Sequence, residues 1–283
     1  MKVDFIIVGA QKCATTTLFD LLNSHSEFEG CYEKEPNFFS YNDWRGKVNQ
    51  YHALFTEKKD VKYFEATTNY TFNPHIENKN IVNDLFEYNE NLKIIYMVRR
   101  PLDRVVSSYM HGRQSGYIER EINTEIKENY FFINITKYYH QIMPYINKFG
   151  KSNVMVIDFD DFILDQEGVV ESVMVFLGVM CNCDGSSALA HENSSINTVK
   201  PTKKYKSIVN LVKSVTRSLP APIRNLMKNS YHKMTFMTGD TFKDKPKLSG
   251  DSQCFILSEL ESDIKEMEII LGKPLDSWKS SLK

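Results

Sequence analysis

Phe5-Ile6-Ile7-Val8-Gly9-Ala10-Gln11-Lys12-Cys13-Ala14-Thr15-Thr16-Thr17-Leu18 carries an apolar strand into a short turn and a helix start, with one lysine and three threonines at the junction. Backbone N–H groups at such a turn, and at the open end of the helix behind it, point at whatever sits there, and the helix dipole favours an anion. Lys12 adds a mobile positive charge. The stretch reads as a phosphate cradle; the alternative is an ordinary strand-to-helix turn with an incidental lysine.

Spacing narrows the kind of cradle. A Walker A loop reads G-x-x-x-x-G-K-[ST], with its lysine against the helix. Here the order is Gly9-x-x-Lys12-x-x-Thr15-Thr16, with the lysine earlier and Ala14 in the glycine-like place, so the turn is shorter. A second junction follows the apolar run Leu92 to Val98, where Arg99-Arg100-Pro101-Leu102-Asp103-Arg104-Val105-Val106-Ser107-Ser108-Tyr109 opens a helix. Pro101 suits a first helical turn, where its missing N–H is not needed. Arg99 leaves the strand tip and Ser107 lies about two turns into the helix, so both can face one phosphate.

Two further stretches lie between these junctions: Lys34-Glu35-Pro36-Asn37-Phe38-Phe39 and Tyr63-Phe64-Glu65-Ala66-Thr67-Thr68-Asn69-Tyr70. In order and spacing the four together resemble the PAPS-dependent sulfotransferases, near the branch that contains heparan sulfate sulfotransferases and many bacterial relatives. The first run (8–18) is similar to that family's 5′-phosphosulfate loop, the second (98–109) to its 3′-phosphate motif. The tail resembles bacterial members as well, through Lys245-Pro246-Lys247-Leu248-Ser249 and a closing helix over about 250–278 that ends Leu275-Asp276-Ser277-Trp278.

The resemblance implies a three-layer, P-loop-NTPase-like α/β fold with a central parallel sheet of four to five strands flanked by helices. It implies PAPS as co-substrate, PAP as product and no metal requirement. Gln11, Lys12, Cys13, Ala14, Thr15, Thr16 and Thr17 would cradle the 5′-phosphate, Arg99 and Ser107 the 3′-phosphate; Lys12 would also stabilise the charge on the leaving phosphate oxygen, and Glu35 would be the general base. His111 is the competing base, since histidine titrates near neutrality; its alternative is a surface or capping histidine at the helix end. Glu35 in turn has the alternative of a plain ion pair with Lys34. Arg104 reads as a helix-surface or structural ion-pair arginine in preference to a direct phosphate ligand. Ala66 stands where glycosaminoglycan enzymes carry lysine, and Ser40 where some carry aspartate. With Glu33, Glu35 and Glu65 left as site charges, a neutral or cationic small acceptor is expected before a saccharide.

With 283 residues, one large α/β domain (1–283) is expected, because motifs spread over the first hundred residues need one sheet to unite them. A formal net charge of −1 gives no global steering toward nucleic acid. Between Asn193 and Gly239 there is no Asp or Glu against nine Lys or Arg. This reads as a basic helical cap that brings Lys200 to the 3′-phosphate, or as a solvated lysine-rich helix pair. From Lys200 to Lys233 its aromatics, Tyr205 and Tyr231, are too few for RNA stacking platforms. The N-terminus carries no export signal and no apolar run reaches the ~18 residues of a membrane span. Five sparse cysteines fit reduced thiols, so a cytoplasmic protein without membrane association is expected. Cys181-x-Cys183 lacks zinc-ligand spacing. Nothing in the sequence specifies an oligomeric state.

Four strand-like runs, Lys2 to Val8, Val61 to Glu65, Leu92 to Val98 and Asn153 to Phe159, alternate with helical stretches, so crossovers and a parallel sheet follow. Helices are expected at Thr15 to Ser24, Pro101 to Gly112, about Tyr130 to Phe149, and Asp160 to Leu177, the last capped by Asp160 or Asp161. The same aspartates could be mistaken for a Walker B cluster, and a kinase or NTPase is the remaining alternative function.

Overall fold

The computed structural model describes residues 1–179 and 244–282. Its sheet contains five parallel strands: β1 (Phe5–Gly9), β2 (Phe28–Gly30), β3 (Lys62–Ala66), β4 (Lys93–Val98) and β5 (Val154–Asp158), in the order β2-β3-β1-β4-β5. β1 is buried throughout and β4 from Ile94 onward, which agrees with their unbroken apolar sequences: strands covered on both faces have no polar side to show.

The covering layers are helical. α1 (Thr15–Asn23) packs on β1 and β3 and touches α9 (Gln166–Leu177), which lies on β5. α7 (Tyr138–Phe149) crosses β4 and β5 and packs with α3 (Ile81–Tyr88) and α10 (Gly250–Leu271). α4 (Pro101–Gln114) packs on α6 (Phe131–Thr136) and α10. Shorter helices complete the described residues: α2 (Val48–His52), α5 (Ile122–Glu128), α8 (Phe159–Leu164) and α11 (Asp276–Lys279). Trp278 of α11 is wholly buried, with its ring 5.6 Å from that of Tyr138. Among the described residues no helix is long and apolar enough to cross a membrane, and Cys13, Cys31 and Cys254 are free thiols.

Several boundaries differ from the expected ones, each for a local reason. β2, not expected, is three residues long and pairs with β3. The aromatic stretch from Tyr130 is two helices, α6 and α7, broken at Lys137. The stretch from Asp160 is likewise two, α8 and α9. Neither Asp160 nor Asp161 caps it: the Asp158 carboxylate accepts from Asp160 N–H (3.1 Å), and Asp165 accepts from Gly168 N–H (2.9 Å) and starts α9. Asp158 and Asp161 both pair with Lys273, each at 2.7 Å, which pins the closing segment to the end of β5. The closing helix stops at Leu271, with Gly272 in the left-handed region (φ 66°), and resumes as α11. The basic cap 193–239, with Lys200, and the Cys181-Cys183 pair lie outside the described residues.

Candidate active site

In a parallel sheet of this kind ligands gather outside the carboxyl ends of the strands, where connections depart to opposite sides. A cavity of about 440 Å³ lies there, and its lining draws on the segments that follow all five strands. Gln11, Lys12, Ala14, Thr15, Thr16 and Thr17 come from the β1 end, Glu35 from the segment after β2, and Thr68 from the turn after β3. Arg99, Ser107 and His111 come from the β4 junction and Phe159 from the end of β5.

The β1 turn is shaped to present amides. Lys12 (φ 69°) and Ala14 (φ 64°) are both left-handed, and Ala14 is the residue before α1. Alternation of this sort turns successive N–H groups to one side and forms an anion nest. Among the described residues no side chain caps the helix, and its first turn has no acid, so its leading amides are open to a ligand. The left-handed conformation at Ala14 is one that glycine would adopt without strain: an L side chain costs about 1–2 kcal/mol in that region. Gly9 is required for another reason, since a Cβ on it would lie 2.2 Å from Thr71 Oγ1.

Two arginines lock this turn to the β4 junction. Arg99 Nη1 donates to the Lys12 carbonyl (3.3 Å), while its guanidinium lies over the Phe159 ring at 4.1 Å. Arg104 is 1% exposed; Nε donates to the Gln11 carbonyl (3.2 Å) and Nη1 to Thr136 Oγ1 (2.8 Å). Arg104 is therefore not on the helix surface, and among the described residues it pairs with no carboxylate in the way expected of it; it is a buried strut beneath the turn. The Cys13 side chain faces away from the cavity, fully buried with Sγ 3.8 Å from Tyr138 Oη, and burial pushes its thiol pKa up. Its N–H closes the turn on the Ala10 carbonyl (3.2 Å).

Burial, and then the neighbouring Arg99 guanidinium, hold the Lys12 ammonium below the usual lysine range. A poorly hydrated cation interacts more strongly with charge that develops beside it. Glu35 lies across from it, its side chain 34% exposed. Thr68 Oγ1 contacts both of its carboxylate oxygens at 3.2 Å, and Lys34 Nζ is 3.4 Å away. His111 lies in the last turn of α4, an exposed residue that also lines the cavity; loss of water around the ring, then Lys12, push its pKa down, while Glu35 opposes the shift. Glu65, expected among the site charges, is not in the lining but buried beneath it, 0% exposed.

Thr68, Asp103, Phe159, Gln166 and Lys245 also line the cavity and were not singled out as site residues from sequence. Lys245 had a signal in the Lys-Pro-Lys stretch, but only the folded chain carries it 146 positions back to Arg99. Among the described residues no His, Cys, Asp or Glu cluster could hold a metal ion.

The sulfotransferase domain family matches this chain over residues 2–234. The bifunctional heparan sulfate N-deacetylase/N-sulfotransferase 1 of Xenopus tropicalis is 25% identical over 209 residues, covering 66% of this chain but only 23% of that much longer protein. Human sulfotransferase 4A1 is 27% identical over 128 residues, 42% of each chain. Among solved structures, a sulfotransferase from Alicyclobacillus acidocaldarius superposes with a TM-score of 0.68 over 99% of this chain and 100% of its own, at 20% identity, which is a likeness of fold. With the β1 nest, the β4 junction and a family match over most of its length, the chain belongs to the sulfotransferases.

Proposed function

We propose that residues 1–283 form one sulfotransferase domain that moves a sulfuryl group from PAPS to a hydroxyl or amine of a small-molecule acceptor by in-line transfer. The observation that carries this reading is the convergence of Lys12, Arg99, Ser107, Lys245 and Glu35 on one cavity. The amides of Ala14 to Thr17 and the Thr16 hydroxyl hold the 5′-phosphate. Arg99, pre-oriented on Phe159, grips the 3′-phosphate with Ser107.

In the transfer, an acceptor oxygen or nitrogen forms a bond to sulfur as the bond from sulfur to the phosphate oxygen breaks, and that electron pair stays on the departing PAP. Lys12 Nζ stabilises the charge growing on this oxygen, and Glu35 takes the proton that the acceptor loses. Positioning and charge stabilisation do most of the work, as in in-line phosphoryl transfer. His111, adjacent to both, is the competing proton acceptor.

Among the described residues Glu35 and Asp103 are the acids in the lining, with Glu65 buried beneath it; a neutral or cationic molecule fits better than a polyanion. A saccharide is the second reading, favoured by the likeness to the heparan sulfate enzyme. Incubation with labelled PAPS and a panel of phenols, alcohols, amines and saccharides tests both. Transfer to a neutral or cationic small molecule, lost in Glu35→Gln, supports the proposal; transfer restricted to anionic polysaccharide, or full turnover in Glu35→Gln, overturns it.

A further inference from the structure

Beneath the cavity wall lies a carboxylate that the transfer chemistry leaves unused. Glu65, next to last in β3, is wholly buried and accepts three hydroxyl hydrogen bonds. Tyr51 Oη and Tyr70 Oη both donate to Oε1 at 2.9 Å, and Thr67 Oγ1 donates to Oε2 at 2.6 Å.

Two of these hydroxyls also receive backbone N–H groups from the loop that carries Glu35. Asn37 N–H approaches Thr67 Oγ1 at 3.4 Å, and Phe39 N–H donates to Tyr70 Oη at 3.2 Å. The third donor, Tyr51, stacks on Phe38 of the same loop, with ring centres 4.4 Å apart and planes 8° from parallel. A hydroxyl has one proton. Once that proton is directed at Glu65, the oxygen's lone pairs are free to face the loop amides, so the carboxylate sets the polarity of both relays.

The loop needs such an anchor. Glu35 (φ 59°) and Asn37 (φ 54°) are both non-glycine residues in the left-handed region, a conformation that persists only where its surroundings impose it. Glu35 N–H also donates to the Ala66 carbonyl (3.0 Å), and Thr68 holds its carboxylate. The end of β3 thus fixes the candidate base from several sides, with Glu65 at the root of the network.

We infer that Glu65 is a positioning residue for the transfer reaction, holding the Glu35 loop through the Thr67 and Tyr70 hydroxyls. The inference rests on the reading of Glu35 as general base. In Glu65→Gln the carboxamide presents N–H groups where Thr67 or a tyrosine now donates. That hydroxyl must then accept from two sides while its own proton has no acceptor, so the relay to the loop reverses or opens.

The test compares wild type, Glu65→Gln, Glu35→Gln and the double variant at pH 8, where the Glu65 carboxyl is ionised. PAP binding by calorimetry counts folded sites, and PAPS turnover is measured with the best acceptor of the panel, or with water if none exceeds hydrolysis. The expected result is a kcat per PAP-binding site lower by about 100-fold in Glu65→Gln, the scale of a small misplacement of a reacting group, with PAP affinity within about twofold of wild type. Amide exchange at Asn37 and Phe39 accelerates while that of α1 does not. In the double variant the two losses fall well short of multiplying, because both act through one proton acceptor. Should Glu65→Gln fail to fold, Tyr70→Phe, which leaves the carboxylate in place, carries the same readouts. Full turnover in Glu35→Gln refutes the base reading by itself. An inactive Glu35→Gln beside a fully active Glu65→Gln, or losses that multiply, overturns the role given to Glu65.

Discussion

Replacing Glu65 by Gln changes how stability depends on pH by an amount that follows from its burial. Burial first, against the opposing hydrogen bonds from Thr67, Tyr51 and Tyr70, raises the carboxyl pKa to about 7 in the folded chain from 4.5 for an ordinary glutamate. Below pH 4.5 both states hold the proton and folding loses nothing through this group. As pH rises toward 7 the unfolded chain gives up a proton that the native chain keeps, and stability falls by up to about 1.4 kcal/mol per pH unit. Above 7 both states are ionised and a constant penalty of about 3 kcal/mol remains.

Glutamine has no proton to lose, so Glu65→Gln should lack this slope. Groups coupled to Glu65, namely Glu35, Cys31, Tyr51, Tyr70, Tyr88 and Tyr145, are present in both proteins, and so are distant titrations such as Asp263, raised to about 6. Urea unfolding of both proteins at half-unit steps from pH 4 to 8 yields the difference in ΔG. The difference should move in favour of Glu65→Gln by about 3 kcal/mol between pH 4.5 and 7.5 and then level off. Curves that stay parallel across this window would refute the assignment of a buried, titrating carboxylate. A variant more stable at pH 8 yet slower in turnover would be a local trade of stability for function.

Other perturbations probe the loop and the cations. Lys12→Met, which keeps the aliphatic stem, should lower kcat by about 10²–10³-fold, the usual effect of removing one donor to a developing anion; steady-state kinetics with PAPS reads it directly. Arg99→Lys gives up both the fork and the stack on Phe159, so PAP affinity measured by calorimetry should fall by about 10–100-fold while the melting temperature stays near wild type. Ala14→Gly removes a left-handed alanine and should stabilise the fold by about 0.5–1 kcal/mol in urea unfolding, with PAP still bound. Gly9→Ala should be strongly destabilising, since its Cβ meets Thr71 Oγ1.

The parts of this protein legible in sequence are those where one short segment contains both cause and consequence. β1 and β4 announce themselves as unbroken apolar runs, and the residues that follow each, Lys12 and Arg99, sit at strand ends by chain connectivity alone. Glu35 was reachable only through family likeness, because the three-residue β2 before it has Glu29 at its centre and leaves almost no periodic signal. Lys245 and Thr68 join the cavity through tertiary contacts that no spacing encodes. The reverse happened with Glu65: a glutamate at a strand end looks like a site charge, and only the positions of Tyr51, Tyr70 and Thr67 show that it faces inward. Asp165 broke an expected helix although its cue, an aspartate three residues before Gly168, was present in the chain.

Calorimetric titration with adenosine 3′,5′-bisphosphate beside 5′-AMP, in wild type and in Arg99→Ala, asks whether the anion sites at the ends of β1 and β4 together grip a doubly phosphorylated adenosine. The prediction is that wild type binds the bisphosphate at least tenfold more tightly than 5′-AMP and that Arg99→Ala removes most of this preference. Equal affinities in wild type, or a preference that survives the loss of Arg99, would contradict it.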